Sequence, residues 1–587
     1  MSDPLVSVII ASYDRPLFLK KRSIPSVLRQ SYEKWEVIVV GDGPADDSLR
    51  RATESFSDPR IRYAQIARPD YSGLSEKQFW HVAGAEARNH GLGLAQGEII
   101  APLDDDDEFL PSHLSDSVDA LRDEYDLVYG CVVVRDMGTG EEHLDLFPWE
   151  DRQTQALFLQ RNIMFHSSVC YSRRFAHLRY PLHVAIPSDY GLFVSMYRAG
   201  ARFRSLRNPQ IIYYGDSLTT SVRVSVPSLP PIEEVNRSIE KIFKSRMLSN
   251  HGPYCEALEK AVAEYVGVSH AVAAPSGDVA LMLAYRALRE SGIGPKRKII
   301  MPSYTHPSTA NAAVWNGLEP VFCDIEPSTL CLSVRTVERA VAPDVAAIVA
   351  VHAHGNPCEM VTLEQLADDL GLLLISDAAA AFGATLGGRR IGSFGDMEVF
   401  SLSGTKVLTA GEGGMICCED GRIAETLRHI GNYGICREYI CETQGLNGKM
   451  AELPAALALA SLPFLENWLT KRREAAQKYQ SALADIPGLR LQRAVSDTAK
   501  SCWKDMPLVL SSAEAAGRLA ERLRVYRIQS RPYYRPLHRM PAFAKFAQPG
   551  LRETERLADC VLCVPLYGDV LGDTVDLVCD VVKEVLT

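Results

Sequence analysis

The strongest constraint on this chain's fold is a repeated alternation of short, unbroken apolar runs with amphipathic stretches. Val6–Ile10, a helical stretch from Leu17 to Gln30, and Trp35–Val40 read as strand, helix, strand, and both strands are almost wholly apolar. Strands without polar alternation are buried on both faces, as in a parallel sheet between two helix layers. The pattern therefore predicts an α/β unit at this end of the chain. A second series, Ile299–Met301, Val321–Cys323, Ala346–Val351, Leu372–Ser376, Val399–Ser401 and Met415–Cys418, predicts a larger doubly wound sheet further on.

Punctuation between these series sets the expected divisions. Residues 223–236 lose periodicity and gather prolines, the composition of a stiff connector. Pro253 to Val266 then reads as a helix with proline at its start and Gly267 at its end. From about Arg472 a helix and short mixed elements predict a smaller subdomain. We expect one domain over 1–222, the connector over 223–236, and a second domain over 237–587, large to about 470 and small from about 471. The 587 residues exceed what one core organises, at about 100–200 per domain. No internal repeat relates the halves, so a fusion is expected rather than a duplication.

Composition excludes several function classes. With 63 Lys+Arg against 73 Asp+Glu the formal charge is −10, so neither nucleic acid nor anionic lipid is an expected partner. No run approaches the roughly 18 apolar residues of a membrane-spanning helix, and Met-Ser-Asp-Pro lacks the basic region of a signal peptide. A cytoplasmic protein without integral membrane segment is expected. Fourteen scattered cysteines fit thiols in such a compartment. The single CxxC, Cys560 to Cys563, lies in an apolar run and reads as strand packing, so no zinc is assigned to it.

Chemistry enters where apolar strands stop. Ile99–Leu103 runs straight into Asp104-Asp105-Asp106-Asp107-Glu108, and ligands of open α/β sheets bind at such strand ends. Like charges about 4 Å apart cost on the order of 4 kcal/mol per pair at an effective dielectric constant near 20, so a cation should offset them. A hard divalent ion, Mg or Mn, binds through one or two carboxylates plus substrate phosphates.

The first half resembles the family 2 glycosyltransferases of GT-A fold across about residues 4–220. The likeness rests on segments 6–15 (Val-Ser-Val-Ile-Ile-Ala-Ser-Tyr-Asp-Arg), 37–43 (Val-Ile-Val-Val-Gly-Asp-Gly), 87–91 (Ala-Arg-Asn-His-Gly) and 97–111, which holds the acidic run. The resemblance implies that Ser12, Tyr13, Asp42 and Asp104 line the nucleotide pocket and that Asp104 and Asp106 hold the metal on a sugar-nucleotide diphosphate. It further implies that Asp189, in Ser188-Asp189-Tyr190-Gly191-Leu192, deprotonates the acceptor hydroxyl; a helix N-cap is the alternative for that residue. His166 falls on the acceptor side of the family's site. Gly41 and Ser188 depart from the family, which commonly has acids at both.

In the second half, one lysine follows a buried strand in Phe400-Ser401-Leu402-Ser403-Gly404-Thr405-Lys406, ahead of a glycine-rich turn, and Asp377 ends another apolar strand. A buried aspartate needs a cationic partner, which a pyridinium nitrogen would be. From about residue 224 onward the chain resembles the DegT family of sugar aminotransferases, pyridoxal 5'-phosphate enzymes of fold type I. Residues 248–253, 302–311, 351–357, 392–396 and 445–453 carry the likeness.

By that resemblance Lys406 holds the cofactor as a Schiff base and moves the proton of the reaction, Asp377 keeps the ring nitrogen protonated, and His306 stacks on the ring. Ser401, Ser276 and Gly277 bind the phosphate, the last two at a helix start. Asn447 reaches the phosphate of a neighbouring subunit, which implies a homodimer. Here too residues depart: Asp278 stands where the family has threonine, Ala380 where it has glutamine, and Phe382 where it has histidine. Asp278 is read as a helix cap instead.

The expected fold class is α/β: a GT-A nucleotide-binding domain followed by a fold-type-I transferase with a large α/β and a small α+β subdomain. The expected function is bifunctional, with transamination of a keto-sugar nucleotide by a donor such as glutamate and metal-dependent sugar transfer to a sugar or glycan acceptor. Polysaccharide or amino-sugar natural-product biosynthesis would be the setting. Two alternatives stay open. Asp278 and Ala380 favour an active glycosyltransferase on a degenerate, dimerising PLP-like scaffold; Gly41 and Ser188 favour an active aminotransferase with a binding-only GT-A domain.

Overall fold

The apolar runs become the central strands of two separate sheets. The computed structural model describes residues 3–587 except 44–46, 139, 215–221, 292 and 438. Its residues fall into two units: Met1–Ser221 with Val525–Arg527, and Val222–Arg524 with Ile528–Thr587.

The first unit is built on β1 (Val6–Ser12), β2 (Trp35–Gly41), β3 (Ile61–Gln65), β4 (Ile99–Asp104), β5 (Glu108–Phe109), β6 (Leu127–Arg135), β7 (Glu142–Asp145), β8 (Val169–Ser172) and β9 (Phe203–Tyr214). Their order is β3-β2-β1-β4-β8-β6-β9-β5, with β7 beside β6. Alternate residues of the central strands feed opposite cores: Val8, Ile10, Val37 and Val39 one, Ile9, Ile38, Val40 and Ile100 the other. This two-sided burial is why no polar alternation shows in the sequence. β1 runs parallel to both β2 and β4, with Ser12 opposite Gly41 and Ala11 opposite Asp104. Three carboxyl ends thus lie side by side. The helical stretch after β1 spans Pro16–Phe18, a π-turn at Leu19–Ser23, and Ile24–Leu28; Pro25, which lacks an N–H, sits just past that turn.

The second unit holds β10 (His270–Ala274), β11 (Lys298–Pro302), β12 (Glu319–Cys323), β13 (Val345–Val351), β14 (Leu373–Asp377), β15 (Met397–Ser401) and β16 (Gly414–Cys418). Strand order is β10-β16-β15-β14-β13-β11-β12. β11 to β15 pair in parallel, while β16 lies antiparallel between β15 and β10. The sheet is therefore mixed, and alanine-rich β10 is a strand the sequence reading did not include. Asp377 ends β14, and Ser401, Gly414 and Ala274 lie in register across β15, β16 and β10.

Helix Pro253–Val266 forms as predicted, with Gly267 at φ +88° closing it. Residues 232–236, expected as connector, are helical: Pro231 immediately precedes Ile232–Ser245, and proline's fixed φ suits a helix start. The helix expected from about Arg472 begins earlier, at Leu465, and runs to Leu483. It packs against the helix Gly572–Leu586 beside a small antiparallel sheet of Leu489–Leu491, Met506–Leu510 and Val561–Val564. Cys560 and Cys563 are buried at that last strand. Among the described residues no helix is long and apolar enough to cross a membrane.

Candidate active sites

In the first unit the acidic run turns inward at the end of β4 and meets arginines. Asp105 accepts from Ser12 Oγ at 2.6 Å and pairs with the Arg15 guanidinium, whose Nη1 also reaches Asp106 Oδ2 at 2.9 Å. Arg527 Nη1 lies 3.2 Å from the same Asp106 oxygen. Asp104 Oδ1 accepts from Arg88 Nη2 at 2.8 Å and lies 3.1 Å from His166 Nδ1, while His166 Nε2 is 3.0 Å from the Tyr180 hydroxyl. Asp107 accepts from Ser167 Oγ at 2.6 Å. The cationic compensation expected of this cluster is thus supplied by side chains from distant segments.

These partners divide the four carboxyls into two kinds. Burial acts to raise Asp104 and Asp106, but His166 with Arg88 and Arg15 with Arg527 outweigh it and hold both below the usual range. Burial wins at Asp105, pushed up to about 6, and at Asp107, raised well above the ordinary value. The two positions expected to hold a metal are therefore the two whose neighbours favour the ionised carboxylate most. Carboxylate oxygens are the donor set of a hard divalent ion. Among the described residues no three ligand atoms of this run converge, so substrate phosphates would complete the shell. On those terms the residues fit Mg or Mn.

Around the cluster, Tyr13 is 39% exposed and lies under the Arg68 guanidinium, 3.7 Å from the ring centre. Buried Asp42 follows β2; burial raises it, against the pull of Arg68, Arg88 and Arg15. Asp189 sits in the first turn of helix Ser188–Arg198, where Pro187 is the N-cap and no side chain caps. The capping alternative for Asp189 is thereby replaced by another contact: its Oδ2 accepts from Asn162 Nδ2 at 2.9 Å. Its charge is felt at Arg88 and Tyr180, which places it beside the His166 end of the cluster. Gly41 has a packing reason, since a Cβ there would stand 2.3 Å from the Tyr63 hydroxyl and 2.8 Å from Gln65 Oε1. Ser188 is buried at the helix start. Arg15, Arg68, Arg88 and Tyr180 were not singled out from the sequence, although Arg15 and Arg88 lie within the quoted motifs.

In the second unit half-buried Lys406 lies in the turn after β15, its N–H donating to Ser403 O at 2.9 Å. Desolvation, then the neighbouring Lys504 charge, lower its ammonium to about 8. Asp377 is buried and accepts from Thr309 Oγ1 at 2.6 Å and Ala379 N at 3.2 Å. His306 caps helix Pro307–Trp315 by accepting from Ser308 N. Partial enclosure, then Lys406, lower its imidazole, while Asp377 and Asp278 act the other way. Three groups assigned from separate motifs, Lys406, Asp377 and His306, thus share one electrostatic neighbourhood.

Ser276 Oγ accepts from Val279 N, capping helix Gly277–Glu290. This corrects the reading of Asp278 as the cap: Asp278 is an exposed first-turn residue, where its charge suits the positive helix end. Capping leaves the Ser276 hydroxyl proton free to donate. Buried Ser401 adjoins the helix start so closely that a Cβ on Gly277 would lie 2.7 Å from its Cβ. Amides at a helix start with the Ser276 and Ser401 hydroxyls beside them fit a phosphate; with Lys406 and Asp377 the residues fit pyridoxal phosphate. Asn447 is exposed and bridges to Asn432. Phe382 is a core ring, stacked on Tyr265 at 5.4 Å and edge-on to Phe400 at 4.8 Å. Ala380 offers its carbonyl to Cys502 Sγ at 3.0 Å.

Comparison with known proteins accords with both halves. The model of the DegT/DnrJ/EryC1/StrS aminotransferase family matches residues 231–583, and that of glycosyl transferase family 2 matches residues 7–180. The chain is 32% identical over 368 residues to dTDP-4-amino-4,6-dideoxy-D-glucose transaminase of Shigella dysenteriae, covering 62% of this chain and 98% of that protein. GDP-perosamine synthase of Caulobacter vibrioides is 33% identical over 343 residues, 58% of this chain and 92% of that one. The crystal structure of aminotransferase TlmJ from Streptoalloteichus hindustanus superposes with a TM-score of 0.58 at 29% identity, over 62% of this chain and 98% of the other.

Proposed function

We propose that this chain, which belongs to the DegT/DnrJ/EryC1/StrS aminotransferase family and carries a family 2 glycosyl transferase domain, is a bifunctional sugar-modifying enzyme. Its second unit moves an amino group from glutamate to a keto-sugar nucleotide. Its first unit moves a sugar from a nucleotide sugar to a sugar or glycan acceptor. One observation carries the reading: Lys406, in the turn after one buried strand, lies within electrostatic reach of Asp377, buried at the end of the neighbouring parallel strand.

Pyridoxal phosphate, when bound, supplies an electron sink for the carbon–hydrogen bond that transamination breaks. Lys406, the covalent attachment point, takes that proton and returns it. Asp377, oriented by Thr309, accepts the ring nitrogen's proton as a hydrogen bond and keeps it in place. His306 covers the ring, and Ser276, Gly277 and Ser401 hold the phosphate. Exposed Asn447 suits a role across a subunit boundary, hence a homodimer through this unit. The relatives named for transamination of nucleotide-linked sugars support that substrate class.

In the first unit Mg or Mn, held by Asp104 and Asp106, would add positive charge beside the departing diphosphate. Arg15 and Arg88 orient those carboxylates, Ser12, Tyr13 and Asp42 line the nucleotide pocket, and Asp189, fixed by Asn162, accepts the acceptor's hydroxyl proton. Fourteen free cysteines, mostly buried, suit a reducing cytoplasm, and polysaccharide or amino-sugar biosynthesis supplies both substrates.

The test is spectroscopic. Purified chain mixed with pyridoxal phosphate should turn yellow and lose the colour on adding glutamate, and Lys406→Ala should stay colourless. A colourless wild type would remove transamination from the reading.

A further inference from the structure

The first unit's acidic cluster is met by a guanidinium from far along the chain. Val525–Arg527 is counted with that unit, outside the residues 7–180 that the glycosyl transferase family model matches. Tyr526 is wholly buried: its ring meets Phe18 edge-on at 5.2 Å, and its hydroxyl accepts from Leu17 N at 3.4 Å. The next residue, Arg527, lies with Nη1 3.2 Å from Asp106 Oδ2.

The other cations of the cluster are already committed. Arg15 gives Nε and Nη2 to Asp105 and Nη1 to Asp106. Arg88 divides between Ala83 O and Asp104. Arg22 donates to Asp106 O at 3.3 Å and packs on the rings of Phe18 and Tyr214, 4.6 Å and 3.9 Å from their centres. Arg527 differs: its one ionic contact among the described residues engages a single nitrogen, and its side chain is 23% exposed. Its remaining N–H groups form the fork that binds phosphate oxygens in pairs.

The backbone adds a second observation. Arg527 follows helix Ala513–Val525 at φ +58°, with Ile528 N donating back to Leu523 O at 2.9 Å. Glycine makes such a helix ending without strain, and a residue with a side chain does not. A long cation at a position that favours glycine points to a use for the guanidinium.

We propose that Arg527 binds the diphosphate of the nucleotide sugar beside Asp106, so that a residue outside the family's own segment sets how tightly the first unit holds its donor substrate. Arg527 takes this role within the sugar-transfer reading of that unit. Its removal would cost the anion a charge-assisted hydrogen bond and weaken binding. An arginine that served only to neutralise Asp106 would act in the opposite sense, because its removal would leave a more strongly negative carboxylate for a metal–diphosphate complex.

The experiment is calorimetric titration of UDP, GDP, dTDP, ADP and CDP, each in turn with Mg, into the full-length protein with pyridoxal phosphate added. Binding that disappears in Asp106→Ala marks the first unit's site. Arg527→Gly, which suits the left-handed backbone, should keep or raise the unfolding temperature and weaken that binding at least about tenfold, as loss of a hydrogen bond to a charged group does. Binding as tight as in wild type, or tighter, overturns the proposal and leaves the sugar-transfer reading standing. A wild type without Asp106-dependent binding of any of these diphosphates overturns both. If Arg527→Gly fails to fold, Arg527→Gln, uncharged and of similar reach, decides by the same criterion.

Discussion

Desolvation holds the Lys406 ammonium at about 8 instead of the usual 10.5, so between those values the folded, cofactor-free chain binds fewer protons there than the unfolded chain. Stability must then rise with pH across that window, and below it the folded state carries the full cost of the buried charge. The cost is at most about 3 kcal/mol. Lys406→Met should therefore be more stable than wild type at pH 7 by up to about that amount, with the advantage shrinking by pH 10. Urea unfolding of both cofactor-free proteins, read from the second unit's own transition, checks it. At the other site Asp189→Asn should lower kcat for sugar transfer by about 10²–10⁴ with little change in KM, as steady-state nucleoside diphosphate release will show. The residues proposed to bond substrate or cofactor were legible because their type is dictated by chemistry. Arg15 and Arg88 were not, because each pairs with a carboxylate that only the fold brings to it, and Lys504 before Asp505 reads as surface charge although the folded chain buries it.

At the scale of elements, both sites are built from strand ends, and the helix Gly277–Glu290 shows how little freedom that leaves. At its first residue, Gly277, there is no room for a Cβ against Ser401. Gly277→Ala should weaken pyridoxal phosphate binding at least about tenfold, since displacing Ser401 forfeits a hydrogen bond to a charged group worth about 1.5–3 kcal/mol. Asp278→Asn should instead strengthen it severalfold by removing a solvent-screened negative charge worth about 1 kcal/mol or less. Absorbance titration of cofactor into each variant measures both. Strands were legible where they are continuously apolar; β10 was missed because alanines carry little hydrophobic signal and its start is a histidine. The connector was read too long because Pro231 both ends an irregular stretch and begins a helix.

At the scale of the molecule, one chain joins a family 2 glycosyl transferase domain to a DegT-family aminotransferase domain, and the two proposed sites use no common residue. Each site balances charge locally: arginines pair with carboxylates in the first, and Lys504 pairs with Asp505 in the second. The net charge of −10 says nothing of either, because both proposed substrates are anions met by local cations. The most direct measurement follows 2-oxoglutarate formation and nucleoside diphosphate release in one preparation supplied with glutamate, a keto-sugar nucleotide, a nucleotide sugar, acceptor and divalent metal. Lys406→Ala should abolish 2-oxoglutarate formation and leave diphosphate release intact, and Asp106→Ala should do the reverse. Persistence of 2-oxoglutarate formation without Lys406, or of diphosphate release without Asp106, would contradict the account.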